Sequence, residues 1–555
     1  MLKIKENLST PKWIYGLLVI WGTMTHGLLL LNDGIYWDGW PLYFHSLERN
    51  WSYVYTPFRN SGLPFYALFH WLIGYLPHPI FFYRLAAFLF ILGSALIIFK
   101  LCRKFLSQGD SLLVALMTIS YPVYSTLVAF TMVPAQMSYF CFFLAVYLAF
   151  LYEEKSQPRP LLLRLSILLL FIVGFMWRSF LVMYAGFIVF LLAHVRNLYG
   201  QSIKNLLFNF LPRRIDYLVL PVVYWFVNGH LFPPRGAYAE ENIITGSPFL
   251  YARCVYNFFK FFYLQFDGVF QSFIHSPGIW MTALFLMVSF LARYKENLGA
   301  LFENKVKMPH LLGASFLLLF LSIVPYVAVG KWPAGGWMCR HALLTSFPLS
   351  LFMVALVRLI LPNNKKVISF LGMSILIFFI FGFASLTIRE YIAWQARWVK
   401  DEAILRNLKD YDTVPGDRRP LNKFSVFWID DQFPVGKEDH YHFFEWAGIF
   451  KTLWHDESHI GLDQRYYGGP FLFDPGQDRL VTHDMLLKDF DRFGCQAKIK
   501  IRPYWRAGGE VDMAVRYMAY KMISQEMLSA YLAGLIKLEF ETFYHERSVN
   551  CKELQ

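Results

Sequence analysis

The chain has 555 residues, 56% hydrophobic, 19% aromatic and only 16% charged, with a mean hydropathy of +0.38, whereas soluble domains carry about 25% charged residues. This excludes the string of soluble domains that length alone would permit. The net charge of +13 is no nucleic-acid footprint, because it divides into +16 over residues 1–386 (29 Lys and Arg against 13 Asp and Glu) and −3 over residues 387–555 (23 against 26).

A basic excess confined to the apolar part serves to set topology and to meet anionic headgroups, so membrane lipids are the expected partners and nucleic acid is not. About eleven apolar runs reach the roughly 20 residues that a membrane-spanning helix needs. They lie near 13–31, 80–99, 111–131, 133–152, 161–177, 179–195, 216–232, 277–293, 310–329, 341–360 and 367–386. The first run is long and has no small-residue cleavage site after it, so it reads as a retained span. The stretch 63–76, bounded by Pro64 and Pro77, is too short to span and reads as an interfacial or re-entrant helix.

Alternate loops are rich in Lys and Arg: Lys3, Lys5 and Lys12; Lys100, Arg103 and Lys104; Lys155, Arg159 and Arg164; Arg196 to Arg214; Arg293 to Lys307; Lys365 and Lys366. These loops face the cytoplasm by the positive-inside rule. The N-terminus is then cytoplasmic, and an odd number of spans leaves the C-terminal segment outside. The 33–79 loop, the 233–276 loop and the short Gly330–Arg340 loop share that outer face. Beyond residue 386, Lys423–Ile429 and Ala497–Ile501 read as strands, and Met513–Ser524 and Gln525–Leu538 as helices. The expected fold is an α-helical polytopic membrane protein of about 11 transmembrane helices over residues 1–386, with a mixed α/β extracytoplasmic domain over 387–555. Six cysteines show no CxxC pair; Cys495 and Cys551 share the C-terminal region and either pair in an oxidising compartment or stay free thiols.

The chemistry starts at Leu31–Trp40, LNDGIYWDGW. Asp33 and Asp38 follow the first span directly, and each precedes a glycine, which allows a tight turn and close approach of a ligand. Tyr36, Trp37 and Trp40 suit the headgroup level, where a lipid-linked sugar presents its anomeric carbon. The plain alternative is an aromatic-belt turn with two solvated carboxylates. An acidic motif in the first outer loop of a many-span protein resembles the GT-C superfamily of glycosyltransferases, and Phe58–Leu76 resembles the interfacial helix that follows the motif in such enzymes. That resemblance covers topology over about two thirds of the chain. It implies a polyprenyl-phosphate or diphosphate sugar donor and a glycan, lipid or protein acceptor on the outer or lumenal face; the expected location is the cytoplasmic (inner) membrane of a prokaryote, with a eukaryotic lumenal site as the alternative. The family's acidic pair is often DD, DE or DxD. Here the spacing is D-x4-D, which leaves open whether Asp38 or Asp33 is the base, and whether a divalent metal takes part.

The second cluster is GKWPAGGWMCRHALL, Gly330–Leu344. The planar fork of Arg340 suits phosphate, with His341 beside it and Lys331 as an assistant, and the resemblance implies a basic residue on a late span for the lipid phosphate. A snorkelling arginine at a helix end is the alternative. Arg178, in FMWRSF, is a weaker phosphate candidate at an outer turn. Glu240, Glu241 and Asp267 lie in the long outer loop as acidic-cleft or solvated residues. In the C-terminal domain, DHYHFFEW (Asp439–Trp446) and HDESH (His455–His459) are rich in polar groups, and the two histidines would share a face of a helix, although no HExxH motif is present. The implied reaction is attack of an acceptor hydroxyl on the anomeric carbon, with an Asp as base. The rivals are a transporter or flippase of a lipid-linked saccharide, a polysaccharide polymerase or ligase of another membrane fold, and a non-enzymatic scaffold. A transporter predicts ionisable residues near span midpoints and paired broken helices.

Overall fold

The computed structural model describes residues 12–123, 125–154, 160–199, 204, 208, 211–239, 242–275, 307–361, 366–413, 424–435, 441–455, 459–463, 473–474, 479–480, 495–504 and 508–543. Helix α1 (Lys12–Leu30) is the first apolar run. Three short helices follow: α2 (Gly39–Glu48), α3 (Ser52–Asn60) and α4 (Pro64–Gly74). The stretch read as too short to span is α4, with Pro64 in its first turn, where a missing N–H costs nothing. Helix α5 (Pro79–Cys102) packs on α1 and starts in the same way.

The run expected as a span over 111–131 is instead broken. Helix α6 (Gln108–Ser120) has 13 residues and stops at Tyr121, which is extended because the following Pro122 disfavours the helical conformation of the residue before it. At ~20 Å it is shorter than the ~30 Å hydrocarbon core. Two 3-10 turns, Ser125–Val128 and Phe130–Met132, lead into α7 (Val133–Glu154). Helices α8 (Pro160–Phe175) and α9 (Phe180–Tyr199) are apolar, and α10 (Ile215–Leu231) carries Pro221 inside it.

Part of the expected outer loop 233–276 is a 28-residue helix, α11 (Pro248–His275). One face, with Cys254, Phe258, Phe261, Phe262, Val269 and Ser272, is buried. This helical spacing within a Phe- and Tyr-rich stretch was hidden by its polar residues, and it places Asp267 on a helix rather than in a loop. The expected span 277–293, and Glu240 and Glu241, lie outside the described residues. Helix α12 (Met308–Ala328) and a 3-10 segment, Gly336–Thr345, lead to α13 (Ser346–Ile360). Helix α14 (Lys366–Thr413) has 48 residues and extends ~72 Å, far past the apolar stretch that ends near residue 386.

Among the described residues, six helical stretches are long and apolar enough to cross a membrane: α1, α5, α7 with the 3-10 turn before it, α12, α13 with the 3-10 segment before it, and α14. The expected runs 111–131, 161–177, 179–195 and 216–232 coincide with the shorter or less apolar helices α6, α8, α9 and α10.

Strand β1 (Phe424–Asp431), helix α15 (Phe443–Trp454) and strand β2 (Ile460–Asp463) form a crossover with parallel strands. Strand β3 (Cys495–Pro503) lies parallel to β1 on its other side. Helices α16 (Glu510–Ile523) and α17 (Gln525–Ala533) then return the chain to β4 (Ile536–Phe543), antiparallel to β3. The sheet order is β2-β1-β3-β4, and α16 and α17 pack on α14.

Ion pairs gather at the bundle end away from the first loop. Arg214 grips Glu153 at 2.7 and 3.0 Å, Arg164 grips Asp216 at 2.6 and 2.5 Å, and Arg358 meets Asp110 at 2.9 Å with both side chains almost fully buried. Removing one partner of a buried pair strands a charge in low dielectric, at a cost of roughly 3–5 kcal/mol. Asp110→Ala is therefore expected to lower the thermal unfolding midpoint in detergent substantially, and Asp110→Ala with Arg358→Met to recover part of the loss. An unchanged midpoint in the single variant would contradict this.

Candidate functional site

The turn after α1 is built on Asn32, whose buried side-chain oxygen accepts from the Gly34 N–H at 2.9 Å. The Tyr36 ring folds back over Gly34 so closely that a Cβ there would lie 2.2 Å from the phenolic oxygen, which is why glycine stands at that position. The Tyr36 hydroxyl donates to the Trp394 carbonyl of α14 at 2.5 Å. Arg84, on α5 and fully buried, holds the turn from beneath. Its Nε donates to Asn32 O at 3.0 Å, and its Nη2 to Gly34 O at 2.6 Å and to the Asn32 side chain at 3.3 Å. Its Nη1 reaches Leu127 O at 3.4 Å and, more closely, Val128 O.

Trp37 then adopts a left-handed conformation, φ 47°, which costs a non-glycine residue of order 1–3 kcal/mol. It is held there by its N–H, which donates to Glu445 Oε1 of α15 at 3.1 Å. Its ring lies 4.8 Å from Trp337 and 4.4 Å from Trp394. The reversal leaves Asp38 exposed at the N-cap of α2, between two buried residues.

The two acidic residues have different surroundings: Asp33 forms an ion pair with Lys521 of α16, while Asp38 is exposed at the N-cap of α2. Arg340 does come to the same place as Asp38's neighbour: its guanidinium lies 4.1 Å over the Trp337 ring, and Trp337 in turn meets Trp37. First loop and late 3-10 segment thus share one aromatic cluster of tilted and edge-on rings. Lys331 donates to Asn242 at 3.0 Å, and Arg253 lies 5.2 Å from the Trp332 ring, so the same loop cluster is basic.

Other expected site residues have structural positions. His341 is buried against Tyr326 and bonded to Trp332 O at 3.1 Å, and Arg178 donates to Gly62 O at 2.8 Å. Tyr36, Trp37 and Trp40, expected at a headgroup surface, are 1%, 3% and 2% exposed. Protein covers them: Trp394 of α14 packs on Tyr36 and Trp37, Trp337 packs on Trp37, and α15 lies on Trp40. Gly448 sits so tightly on Trp40 that a Cβ would be 2.3 Å from the ring, and Lys451 reaches Glu48 at 2.6 Å and the Tyr53 hydroxyl at 3.0 Å. His455 and His459 share no helix face, because α15 ends at Trp454 and His455 is its left-handed C-cap. Among the described residues, no group of three or more His, Cys, Asp or Glu could hold a metal ion. An apolar cavity bounded by Cys102, Leu106, Phe150 and Phe187 lies toward the ion-paired end and is not part of this site.

Sequence reasoning missed Arg84, Glu445 and Arg397. Arg84 carried a signal, since an arginine near the start of an apolar span is costly without a role. Glu445 looked like one polar residue among several. It is a buried hub: it accepts from Trp37 N–H and from Arg397 Nη2 at 2.7 Å, and its other oxygen closes a capping box with His442. The Arg397 guanidinium also faces the Tyr441 ring at 4.5 Å. Burial, with Asp401 adding to it, pushes the Tyr441 phenol well above its ordinary range, so it remains a donor to Asp401.

The chain matches no protein-family model and no curated protein; its function is therefore argued from these side chains. Glu445→Ala removes the acceptor for the strained Trp37 and strands Arg397, for an expected loss of roughly 3–5 kcal/mol. Glu445→Gln, which keeps an acceptor oxygen for Trp37, is expected to lose less. Thermal unfolding in detergent with hydrogen exchange at residues 36–40 reads both effects, and equal behaviour of the two variants would argue against the hub.

Proposed function

We propose that this protein is a membrane glycosyltransferase that takes a sugar from a polyprenyl-phosphate or polyprenyl-diphosphate donor and passes it to a glycan, lipid or protein acceptor at the outer face. The acceptor hydroxyl attacks the anomeric carbon and gives its proton to Asp38 as general base. The bond from that carbon to the lipid phosphate breaks as the new one forms, which inverts the configuration. The phosphate is already a good leaving group, so no acid of the glycosidase kind is required. Arg340 stabilises the charge that grows on it. The reading places the first loop outside the cytoplasmic membrane of a prokaryote, as the distribution of Lys and Arg among the loops favours.

What supports this reading is one juxtaposition: an exposed carboxylate from the start of the chain and a guanidinium from residue 340, joined through Trp37 and Trp337 at one end of an apolar helix bundle. The observation nearest to the transporter reading is Arg84, a fully buried cation in a span. All five of its N–H groups are taken by oxygens of the protein itself, four of them backbone carbonyls, which makes it a structural clamp rather than a carrier site.

The test is transfer from a defined polyprenyl-phospho-sugar by purified protein in vesicles. Asp38→Asn is expected to lose about a hundred- to ten-thousand-fold in rate, the usual worth of a general base, with its unfolding midpoint unchanged. Arg340→Ala is expected to lose roughly a hundred- to a thousand-fold, comparable to removal of one oxyanion donor. Asp33→Asn is expected to lose far less. Retained transfer by Asp38→Asn would remove the assignment.

A further inference from the structure

Helices α16 and α17 meet in a tight corner at Ser524, which is extended and caps α17 by accepting from the Met527 N–H. Inside the corner, Tyr517, Leu528, Tyr531 and Leu532 are buried. Outside it, Met522 is 81% exposed, Ile523 70% and Met527 46%. Isolated exposed apolar residues are ordinary, but these three share one corner whose position is fixed.

Lys521 pairs with Asp33, which lies three residues past the end of α1 and two past Leu31, itself 56% exposed. The corner therefore sits where the first span leaves the hydrocarbon. The other end of α17 sits far from it: Asn407 of α14 donates to Leu532 O at 3.4 Å, 13 residues beyond Trp394, which binds the first loop. Along a helix that is ~20 Å farther from the membrane. The two helices accordingly stand on the membrane surface with their corner pointing back toward it. Lysine beside two bulky apolar side chains is the composition of a segment that seats at the headgroup boundary, with the ammonium among polar groups and the side chains among acyl chains.

We infer that the α16–α17 corner is a membrane-contact site, with Met522 and Ile523 inserted among the lipid acyl chains of the same leaflet edge at which α1 ends. The contact fixes the C-terminal α/β unit on the bilayer independently of any reaction the protein catalyses. The Lys521–Asp33 pair sets it beside the end of α1, on which Ile20 and Met24 are exposed, as is Leu31 just past it.

The experiment uses the full-length chain in vesicles of phosphatidylcholine and phosphatidylglycerol. Met522→Cys, Ile523→Cys and, as reference, the exposed Arg516→Cys are labelled with an environment-sensitive fluorophore, with wild type carried in parallel to subtract labelling of native cysteines. Quenching by lipids bearing a nitroxide high on the acyl chain is expected to be several-fold stronger at 522 and 523 than at 516, and iodide quenching several-fold weaker. Equal quenching at all three positions would overturn the inference. Protection from iodide that persists in detergent and tracks protein concentration would also overturn it, since it would mean that a second copy covers the corner.

Discussion

A charged guanidinium with essentially no solvent exposure is expensive unless every donor is satisfied, and Arg84 meets that condition with oxygens of the backbone and of Asn32. It ties together three parts of the chain: the turn after α1, the start of α5 and the irregular segment after α6. The irregular segment is necessary to the arrangement. Only backbone that has left the helix has carbonyls to offer sideways, and Leu127 and Val128 supply them. The ring of Phe130, 5.1 Å from the guanidinium, adds a favourable face. With the Asn32 turn fixed from below, the direction in which Tyr36, Trp37 and Asp38 leave it is fixed as well.

From above, the same loop is held by residues some 400 positions later. Trp394 offers a carbonyl and a ring, Glu445 an acceptor, and Gly448 a bare patch of backbone against Trp40. The left-handed Trp37 persists because these contacts determine its position more strongly than its own torsional preference does. A buried pair such as Arg397 with Glu445 contributes little net stability; its effect here is geometric, since it orients the oxygen that receives the Trp37 N–H.

The apolar helices were readable because lipid demands long uncharged runs: wherever residues are described each expected run contains a helix, though six helical stretches are long and apolar enough to cross a membrane and the run over 111–131 breaks at Tyr121. Helix ends were less readable, for a physical reason. Hydropathy reports where the membrane ends, not where the hydrogen-bonded helix ends. Residues 387–413 contain neither Gly nor Pro, so α14 continues long after its apolar half is over. The strands at 424–431 and 495–503 show in their alternating or β-rich sequence, FSVFWI and AKIKI. At the site, the exposure of Asp38 and the nearness of Arg340's loop could be anticipated from types and topology. The burial of Trp37 and Trp40 could not, because the element that covers them is remote in sequence and a tryptophan beside a span looks the same whether lipid or protein lies over it. The pairing of Asp33 with Lys521 was hidden for the same reason.

These constraints make α14 more than another span. Its apolar half packs against α1, α6 and α11, while its polar half carries Trp394 and Arg397 at the first loop and Asn407 beneath the C-terminal helices. A single unbroken helix transmits tilt along its whole length, because bending it without a proline or a bulge strains many hydrogen bonds at once. The C-terminal unit therefore cannot shift on the bundle without moving either this helix or the Glu445–Trp37 contact, and both end at the residue before Asp38. The exposed carboxylate sits on a loop, yet its position is that of a rigid element, clamped between Arg84 on the membrane side and α15 on the other. Under the proposed function, precise placement of Asp38 is what such clamping provides, and α14 and α15 contribute to it as much as the first loop does.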